Sequence, residues 1–508
     1  MDTIFTVRNE DLERLSPQEA VDFFRELLWA EAGRIGVGIS KIHISSWINV
    51  PDGGIDALVE ENISTTKSDL IKAGYTGYQI KTGISFTPWQ DARVRGELFG
   101  RKHPSKENLK RSIRDCLDRK GTYVLVCFKQ DLTPEQHKQA VETLKYYLRQ
   151  CGYQNPKVEV WSQSHLRGFL KVFPSLALKI NQREDLRFQT HKSWSREAEM
   201  RREFITGQPQ KEFITDMQDA LRKNNDAIHI RVWGEPGIGK TRLVLEATRV
   251  EDLQPIVIYC DTASKFRYSD LMNEILKDDN QFTMILVIDE CDPDSRSYIW
   301  NKLKYRGPRI KLVTIYNDYD ATSGDVNYLK TPPLEKEHVS EIIQGYGIPN
   351  DQADRWAEFC GGSPRVAHVF GQNLKSNPED LLKPPDTINV WERYIVGGDD
   401  PNSDQVRQRR LVLQHVALFK RFGFGRPFIS EVRAIADKVE QADPQITWAR
   451  FQEIIRDLRS RKILQGEYTL YITPKALHIK LWSDWWNTYG EGVEFEEFVK
   501  GLPDSLRH

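Results

Sequence analysis

A chain of 508 residues is too long for a single hydrophobic core, so three or four domains are expected. With 39% apolar and 29% charged residues and no run of eighteen apolar positions, the composition excludes long disorder and a membrane-spanning helix, and a net charge of −1 singles out no partner. The opening MDTIFTVRNEDLERL is too acidic and polar for a secretion signal, and six cysteines without paired spacing read as reduced core thiols of a cytoplasmic protein with no zinc site.

The first organised stretch is SPQEAVDFFRELLWAEAGRIG, where Ser16, Pro17 and Glu19 supply the N-cap, N1 and N3 positions of a capping box. Ala20, Phe23, Phe24, Leu27 and Leu28 form its apolar stripe, and Glu31 falls on that stripe while Glu26 falls on the opposite, solvated face. A carboxylate aimed at the core needs a partner, which a metal cluster would supply. In PDGGIDALVE a double-glycine turn leads to Asp56 at the start of a strand, with Asp52 either the acid of that turn or a group behind a site. In GYQIKTG a period of two puts Gln79 and Lys81 on one face and Tyr78 and Ile80 on the other. The stretch is either a turn followed by an amphipathic edge strand, or half of a convergent set: oxygen ligands for Mg²⁺ and a lysine for the charge of a phosphorane. The set Glu31, Asp56, Gln79 and Lys81 resembles the PD-(D/E)XK nuclease superfamily, specifically Mrr-like restriction endonuclease domains. That resemblance implies Glu31, Asp56 and Gln79 as metal ligands, Lys81 as the catalytic cation and double-stranded DNA as substrate. Gln79 stands where the superfamily name has an acid, which leaves Glu31 and Asp56 as the anionic ligands.

Between Arg93 and Lys120 ten Lys/Arg stand against four Asp/Glu. Lys106, Lys110 and Arg114 at i, i+4 and i+8 predict a basic helix face, which is either solvated or a phosphate-backbone contact. GTYVLVCF and KVEVWS predict two further strands around a helix at 134–150, and the charge-dense stretch that follows reads as a boundary, part helix and part linker.

IHIRVWGEPGIGKTRLVLEA carries the most specific motif: a β-branched run, Gly234, four residues, then Gly239-Lys240-Thr241 opening a helix. In such phosphate loops the glycines, here Gly234, Gly237 and Gly239, let backbone N–H groups approach the phosphates of ATP. Lys240 would reach the β- and γ-phosphates and Thr241 would hold Mg²⁺, with Arg242 next on the helix. In MILVIDECD a strand delivers Asp289 as a second Mg²⁺ ligand and Glu290 as the group that orients or deprotonates water. PIVIYCD and IKLVTIYN add strands, so a parallel α/β sheet is expected, with Asn317 or Thr314 either sensing the γ-phosphate or serving only as a strand-end turn residue. The extra strand and Glu290 resemble the additional-strand, catalytic-glutamate class of phosphate-loop NTPases.

Downstream, Gly362-Ser363-Pro364 between two helices resembles the lid signature of STAND NTPases, implying that Pro364 meets the nucleotide. Helices at 406–419, 428–439 and 447–461 followed by ILQGEYTLYITP read as a winged helix, and His478 either contacts bound ADP or lies on an amphipathic helix. The whole resembles an antiviral STAND NTPase of the Avs type with an Mrr-like nuclease effector. The expected fold is therefore multidomain α/β: a restriction-endonuclease-like domain over 1–182, a linker over 183–207, a phosphate-loop core over 208–330, a helical lid over 331–385, a winged helix over 386–490, and a further helical segment or tail over 491–508. The family implies that a phage protein triggers ATP-dependent assembly into a homo-oligomer such as a tetramer, whose clustered nucleases cut DNA without sequence preference. Such proteins continue into a helical-repeat sensor; here the sensor is expected to be missing or supplied by a partner, since His508 follows soon after the winged helix. The competing expectation is an ATP-regulated DNA-binding or transcription-regulatory protein with a dead nuclease fold, reading DNA through Arg456, Arg459 and Arg461.

Overall fold

Three sheets organise the chain in the computed structural model, which describes residues 4–45, 53–63, 67–182, 187–223, 226–318, 327–378, 387–396, 399–490, 499 and 501–506. Asp52 lies outside the described residues. The first sheet runs β1 (Ile42–Ile44), β2 (Ala57–Asn62), β3 (Gly74–Lys81), β4 (Thr122–Cys127) and β5 (Lys157–Trp161) in that spatial order. Its first three strands are antiparallel and its last two pairings parallel, as the helix of 134–150 between β4 and β5 requires. Every residue of β4 is buried, so helices cover both faces. Val124 and Val126 share a core with Tyr78 and the Pro17–Ile35 helix, whereas Leu125 and Cys127 pack with Val94, Leu98 and Ile113. Gln79 pairs in register with Leu125 and Lys81 with Cys127, which fixes both on the second face.

The second sheet contains β6 (Gln189–Thr190), β7 (Ile228–Trp233), β8 (Val257–Cys260), β9 (Met284–Ile288), β10 (Ile310–Tyr316) and β11 (Asn327–Lys330), ordered β11-β7-β10-β9-β8-β6. All its pairings are parallel except that of β6. The predicted parallel α/β arrangement is observed, and β10 separates the phosphate-loop strand β7 from β9. The stretch expected as a linker does more than connect: β6 extends this sheet, Trp194 stacks on Tyr259 with ring centroids 4.2 Å apart, and His191 Nε2 donates to the Leu245 carbonyl at 3.0 Å. Its aromatic and histidine residues give it an apolar face that a solvated linker would leave in water.

Three helices, Asp404–Val416, Ile429–Ala442 and Trp448–Ser460, follow close to their predicted positions. A small antiparallel sheet of β12 (Phe422–Gly423), β13 (Leu464–Gln465) and β14 (Thr469–Ile472) packs with them, and the helix Lys475–Tyr489 closes the module. One continuous core runs from Phe5 to Ile315 through both larger sheets, and a second runs from Leu334 to Leu481. Residue 182 therefore does not divide cores: Ser175 donates to the Val257 carbonyl at 2.8 Å and the Phe5 and Phe282 rings meet at 5.7 Å. No helix among the described residues is long and apolar enough to cross a membrane, and all six cysteines are buried and free.

Candidate functional site

The phosphate loop sits where β7 ends and the helix Lys240–Ala247 begins. Gly239 is the helix N-cap at φ +99° and Gly237 sits at φ +85°, left-handed conformations that residues with a Cβ rarely adopt. Lys240 is buried in a crown of acceptors: its Nζ donates to the carbonyls of Gly234 (2.9 Å) and Glu235 (3.0 Å) and to Asn317 Oδ1 (2.8 Å). Burial pulls its pKa down to about 8 against the opposing pull of Glu290 and Asp289. Thr241 Oγ1 donates to Asp289 Oδ2 at 2.7 Å, and the Tyr259 hydroxyl reaches the same oxygen at 3.3 Å. Burial raises the pKa of Asp289, opposed by these hydrogen bonds. Glu290 is raised to about 7 by burial first and by the charge of Asp289 second. A hydroxyl and a carboxylate joined at the base of a cleft form an oxygen donor set that suits a hard cation such as Mg²⁺.

A cavity of about 670 Å³ opens over these groups and is lined by the loop, Asp289, Glu290, Asn317 and Pro364. Pro364 starts the helix Pro364–Ser376, whose N-cap Ser363 donates its hydroxyl to the Gly237 carbonyl at 2.9 Å, so the Gly-Ser-Pro step lies directly on the loop. Of the two residues considered for the γ-phosphate, Asn317 faces Lys240, whereas Thr314 Oγ1 is buried against His229 Nε2 at 2.9 Å. The Arg242 guanidinium binds Glu246 and the Met200 carbonyl. His478 lies off the cavity lining: its Nε2 donates to the Ala417 carbonyl at 2.8 Å, because its helix turns that edge toward the end of the Asp404–Val416 helix instead of the loop. Arg459 and Arg461 both border the cavity, Arg461 donating to the carbonyls of Ile395 and Val396 and the exposed Arg459 to that of Gly466. Arg456 and Arg459 are exposed and Arg461 is half-buried.

On the first sheet the structure brings Asp56, Gln79 and Lys81 together. Asp56 Oδ2 accepts from Gln79 Nε2 at 2.7 Å and from the Ile80 amide at 2.5 Å, and its own amide donates to the Tyr78 carbonyl. Gln79 Oε1 is buried and accepts no hydrogen bond, an orphaned oxygen that a cation would satisfy. Lys81 pairs with Glu97 at 2.5 Å, a carboxylate on the Asp91–Phe99 helix that also has Lys110 at 3.6 Å. Glu31 is placed elsewhere, on the Tyr78 side of the sheet, where its charge helps raise the Tyr78 pKa after burial. The pairing its burial demands comes from Arg34, at 2.5 and 2.6 Å, and from the Ser68 hydroxyl, in place of the metal cluster expected for it. Among the described residues no three His, Cys, Asp or Glu side chains gather as a metal site, so Mg²⁺ here would rely on Asp56 and the neutral Gln79. Glu26, expected in solvent, pairs with Lys179. The predicted basic helix starts late, at Arg111, because the Lys110 amide is spent on the Leu98 carbonyl (3.0 Å); Lys106 instead pairs with Asp118 at 2.8 Å.

Several site residues left no local signal in the sequence. Glu97 reads as one more charge on an amphipathic helix; Tyr471 as a strand residue; Met200, Phe204 and Ile205, which line the cavity, as part of the expected linker. Arg365 had a signal, its place directly after Pro364, and it reaches the Lys462 carbonyl at 2.8 Å.

No family model matches the chain, and no curated protein matches it. Among solved structures it is similar to the ORC1 protein of Aeropyrum pernix in complex with DNA (12% identity over 59% of this chain and 98% of that one, TM-score 0.32). It is also similar to a Walker-type ATPase of Pyrococcus abyssi (14% identity, 58% and 99%, TM-score 0.31). A third is a STAND protein with a tetratricopeptide repeat sensor from Pyrococcus horikoshii (11% identity, 59% and 47%, TM-score 0.30). Likenesses at these scores assign neither family nor function, which rest on the site itself.

Proposed function

We propose that this protein is a Mg²⁺-dependent ATPase switch that controls a phosphodiester-cleaving site on its N-terminal sheet. The observation that carries the ATPase reading is the joined Thr241–Asp289 pair beside a buried Lys240 at the mouth of a glycine loop. Lys240 would leave its carbonyl crown for the β- and γ-phosphate oxygens, a gain for a cation that burial has already made costly. Thr241 and Asp289 would hold Mg²⁺, which supplies neutralisation of charge across those oxygens. Glu290 would accept a proton from water as the water oxygen bonds to the γ-phosphorus. The bond from that phosphorus to the β–γ bridging oxygen breaks, and ADP leaves with its electron pair.

Calorimetry with Mg·ATP and assays of phosphate release test this. Lys240→Ala should weaken ATP binding at least ~100-fold, about 2.7 kcal/mol. Asp289→Ala should weaken Mg·ATP binding, and Glu290→Gln should keep ATP and stop turnover. Wild-type affinity in Lys240→Ala would overturn the reading.

The effector half is supported by two pairs anchored two residues apart on one face of β3, Asp56 with Gln79 and Glu97 with Lys81, and by the orphaned Gln79 oxygen. Its substrate is DNA cut without sequence preference, and its setting bacterial defence against phage, with a phage protein as trigger and a homo-oligomer as the active form. Plasmid incubated with the protein, Mg²⁺ and ATP, with and without phage lysate, should be nicked only when ATP is present. An intact plasmid under all conditions favours the reading in which the sheet is a dead nuclease fold and the protein binds DNA without cutting it.

A further inference from the structure

A hydroxyl from near the far end of the chain holds the carboxylate that the ATPase reading makes the base. Tyr471 lies on β14, is 6% exposed, and donates its phenolic O–H to Glu290 Oε1 at 2.6 Å. Glu290 itself sits at φ +43°, a left-handed conformation that is costly for a residue with a Cβ and persists only where neighbours enforce it. Two bonds enforce the turn: the Glu290 amide donates to Asp289 Oδ1 at 2.9 Å and the Cys291 amide to the Ile315 carbonyl at 3.0 Å. With the backbone pinned, the reach of the carboxylate is settled by what it bonds, and it bonds Tyr471.

The β13–β14 hairpin is in turn tied to the ATPase sheet at several separate points. Glu467 at its tip accepts from Ser264, Lys462 at its base pairs with Glu199 at 3.0 Å, and Lys475 just beyond it pairs with Glu235 of the loop. Arg365, beside the lid proline, donates to Thr473 Oγ1 at 3.2 Å. Arg421 lies with its guanidinium 4.6 Å from the Tyr316 ring and 5.8 Å from that of Tyr471, and pairs with Asp318 at the end of β10. Two of these ties are exposed ion pairs and the others are single hydrogen bonds or a half-buried pair, each worth little alone, so the hairpin is held to the cleft by several weak contacts that can be lost together.

We infer that Tyr471 is a positioning residue that withholds Glu290 from the attacking water while the hairpin is docked, so that hydrolysis begins when the hairpin leaves. This rests on the ATPase reading. A carboxylate oxygen committed to a phenol is not free to accept from water, and Tyr471 lines the same cavity as Glu290. The opposite role, in which the phenol aims Glu290 at water, predicts the reverse rate change.

The test uses the full chain and begins with ATP binding by calorimetry, followed by steady-state phosphate release across ATP concentration. Tyr471→Phe keeps the ring and removes the hydroxyl; it should release phosphate about fivefold or more faster than wild type with unchanged ATP affinity. The gain should appear in kcat with KM for ATP unchanged, a split that a merely structural loss would not give. Glu467→Lys, which breaks the tip contact and touches nothing in the cleft, should also accelerate release and carries the test if Tyr471→Phe does not fold. Rates at or below wild type in both variants would overturn the latch while leaving the ATPase reading intact. A wild-type protein that binds no ATP overturns both, and the calorimetry identifies that case before any rate is measured.

Discussion

Lys81 and Glu31 were two charges of one predicted constellation, and their surroundings now separate them. Lys81 lies on the Leu125 face with Asp56, Gln79 and Glu97, while Glu31 is closed by a bidentate Arg34 on the other side of β3. Lys81→Ala should therefore reduce DNA nicking by a factor on the order of 10²–10³, the scale for removing one charge-stabilising donor. Glu97→Gln should reduce it less, about tenfold, by loosening the lysine. Glu31→Gln should instead lower the melting temperature, by ~1–3 kcal/mol of stability, because it leaves Arg34 with half its partner. Supercoiled-plasmid nicking and thermal denaturation on the same preparations check all three. A Glu31→Gln protein with full thermal stability and no nicking would return Glu31 to the site.

At the scale of elements, the capping box read in the sequence is formed: Ser16 accepts from the Glu19 amide at 3.3 Å and Glu19 accepts from the Ser16 amide at 2.8 Å. That cap fixes where the Pro17–Ile35 helix begins, but the helix's neighbour could not be read. Near its end a Cβ on Gly33 would lie 3.1 Å from the Asp252 carbonyl, in the turn that follows the phosphate-loop helix. Arg222 holds that same Asp252 through its carboxylate at 2.7 Å. Two effects compete on substitution here. Alanine gains up to about 1 kcal/mol of helix propensity, and overpacking costs ~1–3 kcal/mol. Gly33→Ala should be near neutral and Gly33→Val should destabilise by ~1–3 kcal/mol, as measured by urea denaturation. A Val variant as stable as wild type would show that the helix does not bear on the ATPase turn.

For the whole molecule, the consequence lies in the cores. The N-terminal sheet and the phosphate-loop sheet share one apolar interior, whereas the module from Leu334 to Leu481 has its own. A fragment of residues 1–182 would expose the faces that meet Ile256, Val257 and Phe282, so it should lack a cooperative thermal transition. Residues 1–330 should retain one, and calorimetric scans of both fragments against the full chain decide the matter. A sharp transition in the short fragment would make it an independent domain after all.

What the sequence by itself determined is whatever depends on neighbours along the chain. The loop spacing from Gly234 to Thr241, the strand that presents Asp289 and Glu290, the parallel sheet, and the three C-terminal helices all follow from local periodicity and turn chemistry. Tertiary structure decided which distant partner a buried charge meets. Lys81 found Glu97 because a helix packs on that face of β3, and Glu31, already within one helical turn of Arg34, found Ser68 because its helix packs on the other. Glu290 found Tyr471, 181 residues away, because a hairpin folds back over the cleft. The physical reason is the same in each case: burial makes a partner obligatory for a charge, but it leaves the partner's position in the chain open.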